Sequence, residues 1–140
     1  MLRDYEAVLK AAADPNRARI LKMLERGEMC VCQIVAVLGL SQSTVSKHLT
    51  LLRFAGLVEE RKEGRWAYFR LGEAPVNDYA LPLLSLVRGW LARDAATVAD
   101  AKRVAQVRRV SVEQLCALGL KGALRRGRTS PGPAREAGRA

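Results

Sequence analysis

The sequence predicts a mainly α-helical protein with one small β-hairpin. Between Tyr5 and Leu52, apolar residues recur at intervals of three and four, which is typical of amphipathic helices. Residues 57–71 instead form two short alternating runs on either side of a Glu63-Gly64 turn, a pattern typical of a β-hairpin. The 140 residues suffice for one domain and leave little room for a second.

Four helices are predicted ahead of the hairpin. Asp14 followed by Pro15 marks the start of the second helix, because the carboxylate can cap free N–H groups and proline loses no hydrogen bond in a first turn. This helix is predicted to run to about Arg26. Gly39 ends the third helix, and Ser41 is the natural N-cap of the fourth. Two helices joined by a short glycine-containing turn form a helix-turn-helix, and the hairpin that follows completes a winged helix-turn-helix.

Beyond the hairpin the chain is predicted to return to helix from about Val76. An apolar stripe with a spacing of seven residues runs along this segment, through Leu84, Leu91, Val98 and Ala105. Such a stripe suits helix pairing between subunits, and packing on the chain's own core is the alternative. We therefore expect a homodimer formed through the N- and C-terminal helices.

The excess of positive charge indicates a polyanionic partner. The chain has 24 Lys and Arg against 14 Asp and Glu, and its net charge is +10. Lysine and arginine displace counterions from phosphates, so double-stranded DNA is the expected partner and a membrane is not. No stretch approaches the roughly 18 apolar residues of a transmembrane helix, and "MLRDYEAVLK" lacks the features of a signal peptide. We expect a cytoplasmic protein.

The end of the chain differs in composition from the rest. Ser111 and Gln114 form a possible capping box for a short last helix that contains Cys116. The sequence after this helix is rich in Gly, Pro, Arg and Ala. We predict that residues 1–118 form one winged helix-turn-helix domain for DNA binding and dimerisation, and that residues 119–140 form a basic, disordered tail.

The fourth helix has two contrasting faces. Val45, Leu49 and Leu52 share one narrow arc and are predicted to face a core. On the opposite side, short hydroxyl side chains beside a lysine would let the helix enter the major groove closely. The predicted DNA-binding residues, on this helix and at the hairpin turn, are Gln42, Ser43, Ser46, Lys47, His48, Thr50, Lys62 and Arg65. For His48, a half-buried hydrogen-bonding role is the alternative, and solvated surface is the alternative for the others.

Cys30 and Cys32 lie one residue apart, directly before the helix-turn-helix. Three cysteines in a reducing compartment make a disulfide framework unexpected and favour metal binding or thiol chemistry. Side chains at i and i+2 of a regular helix point about 200° apart, whereas two thiolates on one centre must lie roughly 4 Å apart. The first turn must therefore be non-helical or unwind for the two sulfurs to converge. Unwinding would tilt the recognition helix and couple sulfur chemistry to DNA binding.

Together these segments resemble a known family. "EMCVC" leading into a helix, then "LSQSTVSKHLTLLRFAGLV" and "RKEGRWAYFRL", is similar to the arsenical-resistance repressor (ArsR/SmtB) family of winged-helix metal sensors, over about half of the chain. The resemblance implies a homodimeric repressor, not an enzyme, that binds operator DNA when metal-free. It also implies release when trivalent arsenic (arsenite) or antimonite binds as inducer, with no organic cofactor. Cys30 and Cys32 match two of the family's three thiol ligands.

The chain departs from the family at the third ligand. Arsenic-sensing members often carry a cysteine three residues after the second one, and Val35 stands here. A trivalent metalloid seeks three soft donors, so Cys116, from the same subunit or from its partner, completes the expected metal-ligand set of Cys30, Cys32 and Cys116. Alternatively, Cys116 is a small buried hydrophobe. A two-thiol site would then use a small-molecule thiol or prefer a methylated metalloid.

Other functions make distinguishable predictions. A zinc or cadmium sensor would need ligands that are scarce here, since His48 is the single histidine and no cysteine precedes Cys30. In a thiol-oxidation switch, Cys30 would join Cys116 as resolving cysteine, and peroxide alone would abolish operator binding. Catalysis is not expected, because no nucleophile and acid arrangement surrounds the histidine. An architectural DNA binder would show no strong preference for one palindrome.

Overall fold

The computed structural model describes residues 1–129, which form seven helices and three strands. In chain order these are α1 (Leu2–Ala13), α2 (Pro15–Leu24), β1 (Met29–Cys30), α3 (Val31–Leu38), α4 (Gln42–Phe54), β2 (Val58–Glu63), β3 (Trp66–Leu71), α5 (Ala80–Arg88), α6 (Ala95–Val107) and α7 (Val112–Thr129). The strands form one antiparallel sheet in the order β1-β3-β2. None of the helices in this part of the chain combines the length and apolar character needed to cross a membrane.

The helix-turn-helix forms where the sequence predicts it. The Asp14 carboxylate accepts the N–H of Arg17 at 3.0 Å and caps α2. Gly39 ends α3 in the left-handed conformation, with φ of 72°. Ser41 then caps α4 by accepting the N–H of Thr44 at 3.2 Å. These local signals fix the turn between the two helices, and the predicted winged helix-turn-helix fold is confirmed.

The wing contains one strand more than predicted. β2 and β3 pair from Val58 opposite Leu71 to the turn at Gly64, as the alternation of the sequence predicts. β1 adds to the free edge of β3, with Met29 opposite Phe69. The segment that carries the first cysteine is therefore part of the wing sheet.

One core joins the helix-turn-helix and this sheet to the helices on either side of them in the sequence. On α4, Val45, Leu49 and Leu52 are at most 1% exposed, which confirms the predicted buried face. From α3, Ile34 and Val37 are fully buried in the same cluster. α3 also contacts α4, α6, α7 and β3, so it connects α4 to both helices of the C-terminal half.

The return to helix after the wing is confirmed, but the chain forms two helices with a turn between them, and the apolar stripe of spacing seven does not lie on one helix. The Asn77 side chain accepts the N–H of Tyr79 and that of Ala80, both at 2.9 Å, which delays the start of α5. Leu91 lies in the turn with φ of 65°, and Asp94 caps α6. The stripe with a spacing of seven assumed one uninterrupted helix, so its members do not share one face.

α6 packs on the helix-turn-helix of its own chain, which is the alternative that the sequence left open for this segment. The two carboxylate oxygens of Asp100 accept hydrogen bonds from Arg19 of α2 at 2.8 and 2.9 Å. Arg103 donates to the carbonyl oxygen of Val37, at the end of α3, at 3.2 Å. Val104 is also buried in the common core. α6 thus supports α2 and the helix-turn-helix of its own chain.

The last helical segment is interrupted at Gly119, where the sequence predicts that the short helix ends. Ser111 accepts the N–H of Gln114 at 3.1 Å at its start, Gly119 has non-helical backbone angles with φ of 73°, and a second helical stretch follows to Thr129. Irregular structure was predicted from residue 119, so the structure differs from the prediction over residues 120–129. The rest of the predicted tail, residues 130–140, lies outside the described residues.

One glycine is required by a close backbone approach. Gly72 donates its N–H to the carbonyl oxygen of Leu57 at 2.9 Å, and a Cβ at this position would lie 2.5 Å from the carbonyl oxygen of Gly56. We expect Gly72→Ala to lower the free energy of unfolding by about 1–2 kcal/mol, because backbone must shift to relieve the overlap. Urea denaturation measures this loss. Gly89→Ala is the matched control, since a Cβ at Gly89 would lie 3.8 Å from its nearest neighbour, the carbonyl oxygen of Leu86. Equal losses of unfolding free energy in the two variants would contradict the steric explanation.

Candidate DNA-binding surface and thiol site

The predicted DNA-contacting face of α4 is open to solvent. Of the predicted residues on this helix, those with exposed side chains are Gln42, Ser43, Ser46, Lys47 and Thr50. Ser41, which caps the helix, also lies within hydrogen-bonding distance of the Ser43 hydroxyl, at 3.2 Å. With Val45 and Leu49 in the core, the first half of the helix presents only small or flexible polar groups on its outer side, whereas Leu51 and Phe54 are exposed apolar side chains in its second half. This geometry suits insertion into a major groove.

His48 is half-buried and hydrogen-bonded rather than free on this face. Its Nδ1 lies 3.1 Å from Arg17 Nη1. Arginine can only donate, so Nδ1 is the acceptor and Nε2 carries the hydrogen. Arg17 also donates to the carbonyl oxygen of Ala11 at 2.8 Å. The pair therefore joins the end of α1 to α4, as in the alternative that the sequence left open for this histidine.

The wing supplies two exposed basic side chains beside its turn, Lys62 and Arg65. The Arg65 guanidinium stacks over the ring of Trp66, with its carbon 5.0 Å from the ring centroid. A groove runs from this part of the wing to α4, and Ser46 and Thr50 line its other side. α4 and the wing thus border one groove with both polar and apolar lining residues.

A charged pair ties the wing to the segment before the cysteines. Arg61 of β2 donates to both carboxylate oxygens of Glu28, at 3.1 and 2.8 Å, and to Glu63 at 2.7 Å. The Arg61 hydrogen bond lowers the pKa of Glu28 from its ordinary value. The guanidinium carbon of Arg61 also lies 4.7 Å from the ring centroid of Tyr68, the residue opposite Cys30 in the sheet. Residues 28–30 are therefore held firmly to the wing.

Cys32 and Cys116 form a disulfide in this structure, with their Cα atoms 5.6 Å apart. A disulfide framework is unexpected from the sequence, and the one bond that a thiol-oxidation switch would form was expected between Cys30 and Cys116; the structure instead places a bond between Cys32 and Cys116. Cys32 lies in the first turn of α3 and is half-buried, whereas Cys116 lies on α7 and is exposed rather than buried. Contact between α3 and α7 brings these two sulfurs together across 84 residues of sequence, within one chain.

Cys30 occupies a different environment. It is a free thiol, 1% exposed, and it is the N-cap of α3 in extended conformation. Burial raises the pKa of the Cys30 thiol, and backbone N–H groups of Cys32 and Val31 partly oppose that rise. Because Cys30 lies outside the helix and Cys32 inside it, the two residues do not sit at i and i+2 of one regular helix.

The donor set is soft, but its three sulfurs are not assembled around one point. Within residues 1–129, no group of three or more His, Cys, Asp or Glu side chains is placed to hold a metal ion. The structure brings Cys32 and Cys116 together and leaves Cys30 as a helix cap. The thiolates of Cys32 and Cys116 could together bind a thiophilic centre that takes two sulfur bonds. For a third sulfur bond, Cys30 would have to give up its position as the N-cap of α3.

Some residues around the site were not predicted from the sequence. Gln33 is 1% exposed and its side-chain oxygen accepts the N–H of Cys30 at 2.8 Å. Its position three residues after an N-cap is that of a capping-box partner, but Cys is not a usual N-cap residue and the signal was missed. Arg17, which positions His48, carried no recognisable sequence signal because its partner is 31 residues away.

The chain is similar to known bacterial regulators. Residues 14–60 match the model of a family described as bacterial regulatory protein, arsR family. The arsenic resistance transcriptional regulator ArsR1 of Pseudomonas putida is 39% identical over 97 residues, which cover 66% of this chain and 76% of that protein. The arsenical resistance operon repressor of Bacillus subtilis is 37% identical over 78 residues, covering 55% of this chain and 74% of the repressor. Among solved structures, reduced HlyU from Vibrio cholerae gives a TM-score of 0.55 at 32% identity, covering 65% of this chain and 92% of HlyU.

Proposed function

Because this chain belongs to the arsR family of bacterial regulatory proteins, whose members are DNA-binding transcriptional regulators and not enzymes, we propose that it is a metalloid-responsive repressor. Its reduced form binds operator DNA as a homodimer, and trivalent arsenic or antimony, bound at cysteine thiolates, releases it. Cys32 and Cys116 are the primary ligands, and Cys30 is the third.

The observation that supports this proposal is the contact between Cys32 and Cys116. Two thiols held this close within one chain offer a bidentate site for a thiophilic ligand once the disulfide is reduced. Each thiol that bonds to arsenite gives up its proton, which leaves with one hydroxyl group of the ligand as water. The 39% identical relative from Pseudomonas putida is an arsenic resistance regulator, which favours arsenic over other soft ligands.

The packing of α3 offers a route from sulfur to DNA. Cys32 is in the first turn of α3, and α3 contacts the recognition helix α4. A ligand held between Cys32 and Cys116 must set the distance between α3 and α7. Recruiting Cys30 would also remove the cap of α3 and disturb β1 in the wing sheet. Coupling of this kind typically changes affinity about 5- to 150-fold, which suffices to release an operator.

The DNA-binding half of the proposal rests on charge and exposure. The outer face of the first half of α4 is polar and exposed, and the chain carries a net charge of +10. We propose that Gln42, Ser43, Ser46, Lys47 and Thr50 contact DNA in the major groove, with Lys62 and Arg65 at the neighbouring backbone or minor groove. His48 contributes by orienting α4 through Arg17.

Titration of arsenite into the reduced protein bound to operator DNA tests the proposal. We expect Cys32→Ser to raise the arsenite dose that releases half of the DNA by at least about tenfold, because one of the two adjacent donors is lost. Operator affinity without arsenite should stay within about threefold of the wild type. Fluorescence anisotropy of labelled operator measures both quantities.

Two further variants sharpen the result. Cys116→Ser should match Cys32→Ser, since the two sulfurs form one pair, whereas Ser85→Ala, an exposed change on α5, should leave the dose unaltered. An arsenite response that survives in the Cys32→Ser, Cys116→Ser double variant at the wild-type dose would contradict the proposal.

The disulfide itself favours a second candidate function, a thiol-oxidation switch. A hydroperoxide would oxidise one thiol of the pair to a sulfenic acid and would itself be reduced to the alcohol, or to water in the case of hydrogen peroxide. The other thiol would then attack the sulfenic acid, and the disulfide would form with loss of water. The partners would be Cys32 and Cys116, and not Cys30 and Cys116 as the sequence suggested. Release of operator DNA by hydroperoxide without arsenite, reversed by a thiol reductant, would support this alternative.

A further inference from the structure

Gln33 is an unusual residue for the inner face of α3. It is 1% exposed and stands next to Ile34 in the core cluster. Its Oε1 accepts the backbone N–H of Cys30 at 2.8 Å. Cys30 and Gln33 together form a capping box, in which the Cys30 side chain faces the backbone N–H of Gln33 in return.

Packing alone does not explain this side chain. A backbone N–H can only donate, so the hydrogen bond from Cys30 fixes which end of the carboxamide is the oxygen. Its Nε2 is left without a hydrogen-bond partner among the described residues. A buried unpaired donor is unfavourable, and an apolar side chain of similar size would avoid that penalty. The feature that glutamine adds here is the acceptor for Cys30.

Gln33 Oε1 binds the chain at the point where β1 ends and α3 begins. Cys30 ends β1, opposite Tyr68 of the wing, and is at the same time the N-cap of α3. Without Gln33 Oε1, the buried N–H of Cys30 would lose its partner, and the first turn of α3 would open more often. Opening this turn is the motion that would expose the Cys30 thiol.

We propose that Gln33 is a positioning residue that holds Cys30 as the cap of α3 and thereby keeps its thiol shielded, apart from the Cys32–Cys116 pair. The inference deepens the proposed function, on which its regulatory meaning rests. In the sensor, Cys30 is then a reserve ligand that becomes available only when the first turn of α3 opens. The order of engagement is Cys32 and Cys116 first, and Cys30 last.

Alkylation of Cys30 tests this role without metalloid or DNA, so its outcome is independent of the outcome for operator release. All proteins carry Cys32→Ser and Cys116→Ser, which leaves Cys30 as the single thiol. N-ethylmaleimide is added in excess, and mass spectrometry follows labelling. Gln33→Met, which keeps the length of the side chain and removes the acceptor, should label about tenfold faster than the parent. Gln106→Met, an exposed change on α6, should label at the parent rate.

Gln33→Glu separates positioning from packing. Glutamate keeps an acceptor at the same reach and is a common capping-box partner, so protection should return to within about twofold of the parent. Labelling of Gln33→Met at the parent rate would overturn the proposal. Labelling of Gln33→Glu as fast as Gln33→Met would also overturn it, because the acceptor would then not be what protects Cys30.

Hydrogen exchange provides a second measurement, and it uses the parent protein alone, so it does not depend on whether Gln33→Met folds. In the parent protein, the Cys30 amide should exchange at least about tenfold more slowly than the amides of exposed turn residues such as Gly64. Exchange of Cys30 as fast as Gly64 would show that the hydrogen bond to Gln33 does not hold the cap, and would overturn the proposal.

Discussion

Replacing Asp100 with alanine is expected to lower the free energy of unfolding by about 3 kcal/mol. Asp100 is 4% exposed and accepts two hydrogen bonds from Arg19, at 2.8 and 2.9 Å. Hydrogen bonding to Asp100 raises the pKa of Arg19. The guanidinium still stays charged when Asp100 is removed, because arginine does not lose its proton in proteins. The Arg19 side chain is only 27% exposed. Water therefore hydrates its guanidinium poorly in place of the lost carboxylate. Urea denaturation at neutral pH measures the loss.

An exposed ion pair serves as the control for this prediction. Glu6 and Lys10 lie one turn apart on α1, and both side chains are well exposed. Lys10 Nζ lies 3.2 Å from Glu6 Oε2. Glu6→Ala should change the free energy of unfolding by no more than about 0.5 kcal/mol, because surface pairs contribute little. If Asp100→Ala were no more destabilising than Glu6→Ala, α6 would not be anchored to α2 by this pair.

Placing a negative charge on the outer face of α4 should have the largest effect on DNA binding. Ser46 is exposed and lines the groove that faces the wing. If α4 enters the major groove, glutamate at this position meets phosphates and the acceptor edges of bases. We expect Ser46→Glu to weaken operator binding by at least about 100-fold, since opposing like charges at an interface cost several kcal/mol. Anisotropy titrations at one fixed salt concentration measure this change.

The matched control carries the same change in side-chain charge elsewhere. Gln106 is exposed on α6 and does not line the groove between α4 and the wing. Gln106→Glu should weaken operator binding by less than about threefold, because only the long-range field of the protein changes. Operator binding by Ser46→Glu within threefold of the wild type would mean that another surface contacts DNA.

The parts of the fold that could be predicted are those set by neighbouring residues. Asp14, Gly39 and Ser41 act through contacts with residues a few positions away, so the sequence contains the whole signal. The buried face of α4 follows likewise from helical spacing. The apolar stripe with a spacing of seven did not predict one helix face, because the side chains of Asn77 and Asp94 accept backbone N–H groups at the starts of two separate helices. These local hydrogen bonds outweigh an apolar spacing that has meaning only on an unbroken helix.

The thiol site was predictable only in part. The spacing of Cys30 and Cys32 drew attention to the correct segment, but not to the pairing, because Cys116 approaches Cys32 through the contact of α3 with α7. Pairing of β1 with β3, which separates the environments of Cys30 and Cys32, is equally a long-range contact. Residues that meet only in the folded chain leave no periodic trace in the sequence.

The bond between Cys32 and Cys116 closes a covalent loop that spans 84 positions. Inside that loop lie α4 and the whole of β2 and β3, whereas α1 and α2 remain outside it. Cross-linking the ends of a segment reduces the freedom of its unfolded form, so the enclosed elements resist melting more strongly once the loop is closed. If oxidation at these two sulfurs releases the operator, as the second candidate function proposes, it would do so by reorienting a folded surface and not by unfolding it.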